Sequence, residues 1–179
     1  MPGELTKLVR KRVEEICAGF TPQVEALGFE RTRKMFWVRL HEQTADVLHI
    51  HRGGISYGAP LNASVGFRLH LAIRVLNASF PAIALNGPTT DGAPREGRYH
   101  LRFNAESLHS FDRCVHDLAR YVREIGEPWF SRFRDPLVLL QDGASPLQDD
   151  DKAGLRAALE GRDAAENLAT SKKELGLKQ

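Results

Sequence analysis

At 179 residues, with 42% apolar and 27% charged residues, the chain has the length and composition of one globular domain whose core needs no staples. Two cysteines without a paired spacing argue against a disulfide-built secreted domain, and no run approaches the roughly 18 to 20 apolar residues of a membrane helix. A net charge of +2 is too small to point to nucleic acid or a membrane surface, so the distribution of charge has to decide.

Met1-Pro2-Gly3-Glu4 leads into a charged amphipathic segment, not the basic and then apolar pattern of a secretory signal, so a cytoplasmic protein is expected. Leu5, Leu8, Ile16, Phe20, Val24 and Leu27 recur at helical spacing and predict a helix from Glu4 to Leu27. Thr21-Pro22 has the form of a cap followed by a first-turn proline, which predicts a kink or two abutting helices, and Gly28 supplies the stop.

From Arg33 the period becomes two. Phe36, Val38 and Leu40 alternate with Trp37, Arg39 and His41, and after a polar turn at Glu42 to Ala45 a second strand runs from Val47 to Arg52. A glycine-rich connection follows, and then the longest alternation in the chain, Val65 to Val75. Asn77 to Gly97 reads as an irregular connection with at most a short element near Ile83 to Leu85, and Arg98 to Phe103 as a fourth strand. Asn104 is placed to cap a helix whose stripe is Leu108, Phe111, Val115, Leu118, Val122 and Ile125, ending at Gly126. Pro128 and Pro136 punctuate two short helical turns up to Leu140.

These elements predict an α+β fold: an antiparallel β-meander of about four strands, with long N-terminal and C-terminal helices packed on one face. Residues 1–143 form the single α+β domain. Residues 144–179, with Asp149-Asp150-Asp151 and a thin stripe of Leu155, Leu159 and Leu168, read as a polar, helical and exposed tail.

Leu27-Gly28-Phe29 with Arg31, Phe36 and Arg39 on the next strand, the meander, and the closing helix running into Glu127-Pro128-Trp129-Phe130 resemble an uncharacterised bacterial family, domain of unknown function 4304. The resemblance spans roughly Glu4 to Leu140. It implies antiparallel strands flanked by helices, and it brings no activity, cofactor or catalytic residue with it.

Enzyme motifs find little anchor. Arg52-Gly53-Gly54-Ile55-Ser56-Tyr57-Gly58 is followed by a strand and lacks the lysine of a phosphate loop, so it reads as a flexible connection. No nucleophile elbow, metalloprotease helix or paired carboxylates on one strand face occur. Cys17 and Cys114 sit beside apolar helix positions, as buried inert thiols do.

One constellation stands apart. With Phe36, Val38, Leu40, Leu48, Ile50, Phe67, Leu69, Leu71, Ile73, Tyr99, Leu101 and Phe103 turned to the helices, strand parity gathers Trp37, Arg39, His41, His49, His51, Arg68, His70, Arg74, His100 and Arg102 on the other face. The expected function is a non-enzymatic binding or interaction protein that docks a protein or anionic partner there, through Trp37, Arg39, Arg68, Arg74, His100 and Arg102 and without a cofactor. A lone stacking aromatic argues against nucleic acid, and no membrane partner is expected. The alternative is a metal-dependent enzyme of hydrolase or lyase type, with zinc held by His49, His51 and a cross-strand His70. A third account is an ordinary wet sheet face filled with arginine and histidine.

Overall fold

The computed structural model describes residues 2–53, 63–78, 84–90, 98–143, 145–161 and 164–177. The glycine-rich connection from Gly54 to Pro60 and most of the connection after Asn77 lie outside them. The fold is α+β, a 6-stranded antiparallel sheet with helices before and after it.

Helix α1 (Pro2–Glu25) carries Pro22 inside its last turn. The cap expected at Thr21 is absent. Its hydroxyl donates back to Cys17 O at 2.7 Å, so the helix runs on past the proline. The end is at Gly28, with φ of +90°, where Phe29 N–H bonds Val24 O and Gly28 N–H bonds Glu25 O. This double bond is the Schellman arrangement, and the left-handed residue it requires is the glycine.

Strands β1 (Glu30–Arg33), β2 (Phe36–Leu40), β3 (Thr44–Gly53) and β4 (Ser64–Val75) form an antiparallel meander. Strands β5 (Ala84–Thr89) and β6 (Arg102–Asn104) both pair with β4, at residues 70–74 and 64–66 respectively. The sequence alternation misses β1, and β5 overlaps the short element expected near Ile83 to Leu85 and runs beyond it to Thr89. β6 is shorter than the predicted fourth strand: Tyr99 lies before it and packs on Tyr121 with ring centroids 5.2 Å apart.

Asn104 accepts the N–H groups of Glu106 and Ser107, so it closes a turn and does not cap the helix. Leu108 and Ser110 then adopt left-handed backbone, and α2 (Phe111–Tyr121) starts later than predicted, leaving Leu108 exposed. Nor does Gly126 stop the chain. A π-turn (Val122–Gly126) carries α2 into α3 (Glu127–Phe133), followed by a 3₁₀ turn (Val138–Leu140). The wider turn ends two residues before Pro128, whose missing N–H and bulky ring do not suit an ordinary α-turn.

The main core lies between one sheet face and α1, α2 and α3, with Ile16, Phe20, Trp37, Leu48, Ile50, Leu69, Leu71, Ile73, Leu118 and Phe130 buried in it. The segment after residue 143, expected as an exposed tail, forms α4 (Asp149–Leu159) and α5 (Ala164–Leu175). Leu155 and Ala158 of α4 join the main core. Leu168 and Leu175 of α5, with Leu177, close a second cluster on the other sheet face, over Phe36, Val38, Ala45, Val47, Ala72 and Leu76. Thr32 Oγ1 and Arg33 Nη2 donate to Leu175 O and Lys173 O, pinning α5 to β1.

This second layer decides strand parity. Phe36 pairs with His49 and Trp37 with Leu48, so β2 presents Trp37 and Arg39 to the main core and Phe36 and Val38 to α5. The predicted orientation of β2 is reversed.

Candidate binding face

The site is built from what remains open on the far face once α5 is in place. In β3 and β4 the predicted parity holds. Cross-strand pairing sets His49 against His70 and His51 against Arg68, while Leu48 and Ile50 meet Leu71 and Leu69 on the core side. His51, Arg68 and Arg102 are exposed, and His49 and His70 are partly buried. Arg102 on β6 stands opposite Gly66, two residues before Arg68. Thr89 on β5, opposite His70, extends the same face and lies beyond the short element expected near Ile83 to Leu85.

The three imidazoles touch. The His49 and His51 rings have centroids 3.8 Å apart, the His51 and His70 rings 4.5 Å, and Phe36 stands 5.3 Å from His49. Burial holds the His49 imidazole down to about 4, with His51 and His70 adding to the effect. His51 is lowered as well, by burial first and then by the charges of His70 and Arg68. Both shifts favour the neutral ring, at His49 and at His51.

Among the described residues no group of three His, Cys, Asp or Glu side chains is placed to hold an ion. Nitrogen ligands of one tetrahedral zinc stand about 3.3 Å apart with their ring centres splayed farther, whereas here the rings lie against one another.

The other residues expected on this face are elsewhere. Trp37 is fully buried; its Nε1–H is donated to Thr21 Oγ1 at 3.1 Å and its ring meets Phe20 edge-on at 4.9 Å. Arg39 lies on the core side, where Nε bonds Asp46 Oδ2 at 2.9 Å and Nη1 bonds Leu27 O at 2.7 Å. Its guanidinium also pairs with Glu127 and lies 4.3 Å from the centre of the Phe29 ring. His41 and Arg134 converge on the same Asp46 oxygen, at 2.9 and 3.2 Å. This buried ion network had no signal in the alternation, because one aspartate among apolar neighbours does not announce its partners.

Arg74 is on the far face but half-buried beneath α5, with Nη2 3.3 Å from Ser171 Oγ. Burial lowers its pKa, and Glu174 partly opposes that. His100 precedes β6 and donates its backbone N–H to the buried Asp117. Both cysteines are free and buried, and burial pushes the thiols up to about 11 at Cys17 and about 12 at Cys114. Neither is a thiolate near neutral pH.

No helix of the described residues is long and apolar enough to cross a membrane. No family model, curated protein or solved structure matches the chain.

Proposed function

We propose that the chain is a non-enzymatic binding protein that docks an anionic protein partner on the open half of its far sheet face. The observation that carries this reading is the division of that face. Its apolar half is covered in cis by α5, and the uncovered stretch of β3, β4 and β6 presents His49, His51, Arg68, His70 and Arg102 with no carboxylate at the described positions of those three strands on this face. Arginine forks beside imidazoles suit carboxylate recognition, and a rigid antiparallel sheet holds them in fixed register. The reading places the protein in the cytoplasm, where the buried free thiols of Cys17 and Cys114 would persist.

The test is a charge reversal. Arg68→Glu with Arg102→Glu is expected to weaken a partner isolated on the native protein by at least about tenfold, with little change in melting temperature, since both side chains are exposed. The interaction of the native protein should also weaken with added salt. A partner that binds the reversed protein as tightly as the native one would remove this face from the function.

A further inference from the structure

We infer that the cluster of His49, His51 and His70 is the anion-receiving centre of this face, and that an acidic polypeptide segment docks on it with uptake of protons from solvent. The inference rests on the binding reading above and specifies its ligand and its chemistry.

The geometry is the starting point. Three imidazoles from two neighbouring strands lie in ring contact, so each charged form would sit against another ring of the same potential charge. Among the described residues, the charged groups on the neighbouring strands of this half are arginines. β4 contributes Arg68 and, farther along, Arg74; β6 contributes Arg102; β5 contributes Thr89 and β2 contributes Phe36. On α5, Ser171 and Glu174 act on Arg74. Asp46 lies on the opposite sheet face, within its own arginine pairs. Among the described residues, no carboxylate acts on His49 or His51.

A carboxylate arriving within about 4 to 6 Å reverses that balance, because it favours the imidazolium form. Each ring that gains a proton then offers two N–H donors where it offered one. Binding therefore draws in protons, and affinity rises as pH falls. The occupant is polypeptide in preference to nucleic acid, because the described open half presents no exposed Phe, Tyr or Trp ring for base stacking: Trp37 is buried and Phe36 packs against the α5 cluster.

The experiment is calorimetric titration of the full chain with a blocked oligo-glutamate peptide, in buffers of different ionisation enthalpy, from about pH 8 to about pH 6. The expected result is a buffer-dependent heat reporting proton uptake, with Kd falling by up to about tenfold per pH unit for each proton taken up. His51→Gln with His70→Gln should flatten the pH dependence and abolish the uptake, while the salt-sensitive binding due to Arg68 and Arg102 persists near pH 8. Peptide binding that is lost in Arg68→Glu with Arg102→Glu yet takes up no protons would overturn the inference and leave the binding face standing. No peptide binding at either pH would overturn both. Tighter binding of a single-stranded oligonucleotide than of the peptide would overturn the choice of partner. One zinc ion held per chain and lost in the histidine variants would replace anion capture with metal binding.

Discussion

The indole of Trp37 and the hydroxyl of Thr21 are joined by a 3.1 Å hydrogen bond across the core, tying β2 to the last turn of α1. The same hydroxyl donates to Cys17 O at 2.7 Å, so Thr21 satisfies a helix carbonyl and the indole together. Thr21→Val keeps the shape and removes both bonds. It should cost about 1 to 3 kcal/mol, because the buried Nε1–H is left without a partner. Thr21→Ser should recover most of that loss. Urea unfolding of the two variants checks it, and a valine variant as stable as the parent would show that the bond contributes nothing.

Much of the fold was legible because it rests on periodicity. α1, the later helix, and the alternation of β3 and β4 all obey their repeat, and the imidazole and arginine positions on those strands follow from it. The reversed β2 and the misread tail share one cause. Phe36 and Val38 look like core positions, and they are buried, but under α5 on the far side of the sheet. A strand with both faces covered carries apolar residues in both phases, so alternation cannot tell the phases apart. α5 in turn offers only Leu168 and Leu175 plus the following Leu177 as anchors, too thin a stripe to predict docking. Asn104 misled for a different reason: its side chain closes a turn as readily as it caps a helix.

Asp46 holds Arg39, His41 and Arg134 around one carboxylate oxygen and is itself fully buried. Asp46→Ala should destabilise by about 3 to 5 kcal/mol, because Arg39 and Arg134 both lose the buried carboxylate they share and, among the described residues, Arg39 is left with Glu127 alone. Adding Arg39→Met should return part of the loss, since the cation closest to the core, left with Glu127 as its one carboxylate partner, is then gone. Denaturant unfolding of the single and double variants measures the coupling. Strict additivity of the two losses would mean that Asp46 and Arg39 do not act as a pair.

The histidine cluster gives stability an acid-side dependence. A folded-state pKa of about 4 for His49, against an ordinary 6.5, means that the folded protein binds protons less readily than the unfolded chain. The contribution of this residue is therefore complete above about 6.5 and is lost as pH falls towards about 4, and His51 acts in the same direction. Urea midpoints across that window should fall with pH, and His49→Gln should make the fall shallower. A variant with the parent's full slope would assign the dependence to other groups.

The C-terminal helices should be structural, and in separable ways. Truncation after Glu160 removes α5 and uncovers Val38, Val47 and Leu76, so the shortened protein should melt lower and bind an apolar fluorescent dye that the parent does not. Truncation after Gly143 also removes α4, whose Leu155 is fully buried in the main core, and should cost more. Within the full-length chain, Leu155→Ala is expected to cost about 2 to 5 kcal/mol, by loss of packing and the cavity left behind. Asn77 connects the two effects: its Nδ2 donates to Ala158 O at 2.6 Å while its carbonyl accepts from Asn167, so one residue after β4 holds both helices. Asn77→Ala removes the bond to α4 and keeps the backbone carbonyl that Asn167 of α5 uses, so it should lower the melting temperature without raising dye binding. Parent-like melting in the protein truncated after Glu160, with no dye bound, would mean that α5 does not cover the far face in solution, and the open basic half would then have to be redrawn to include Val38 and Val47.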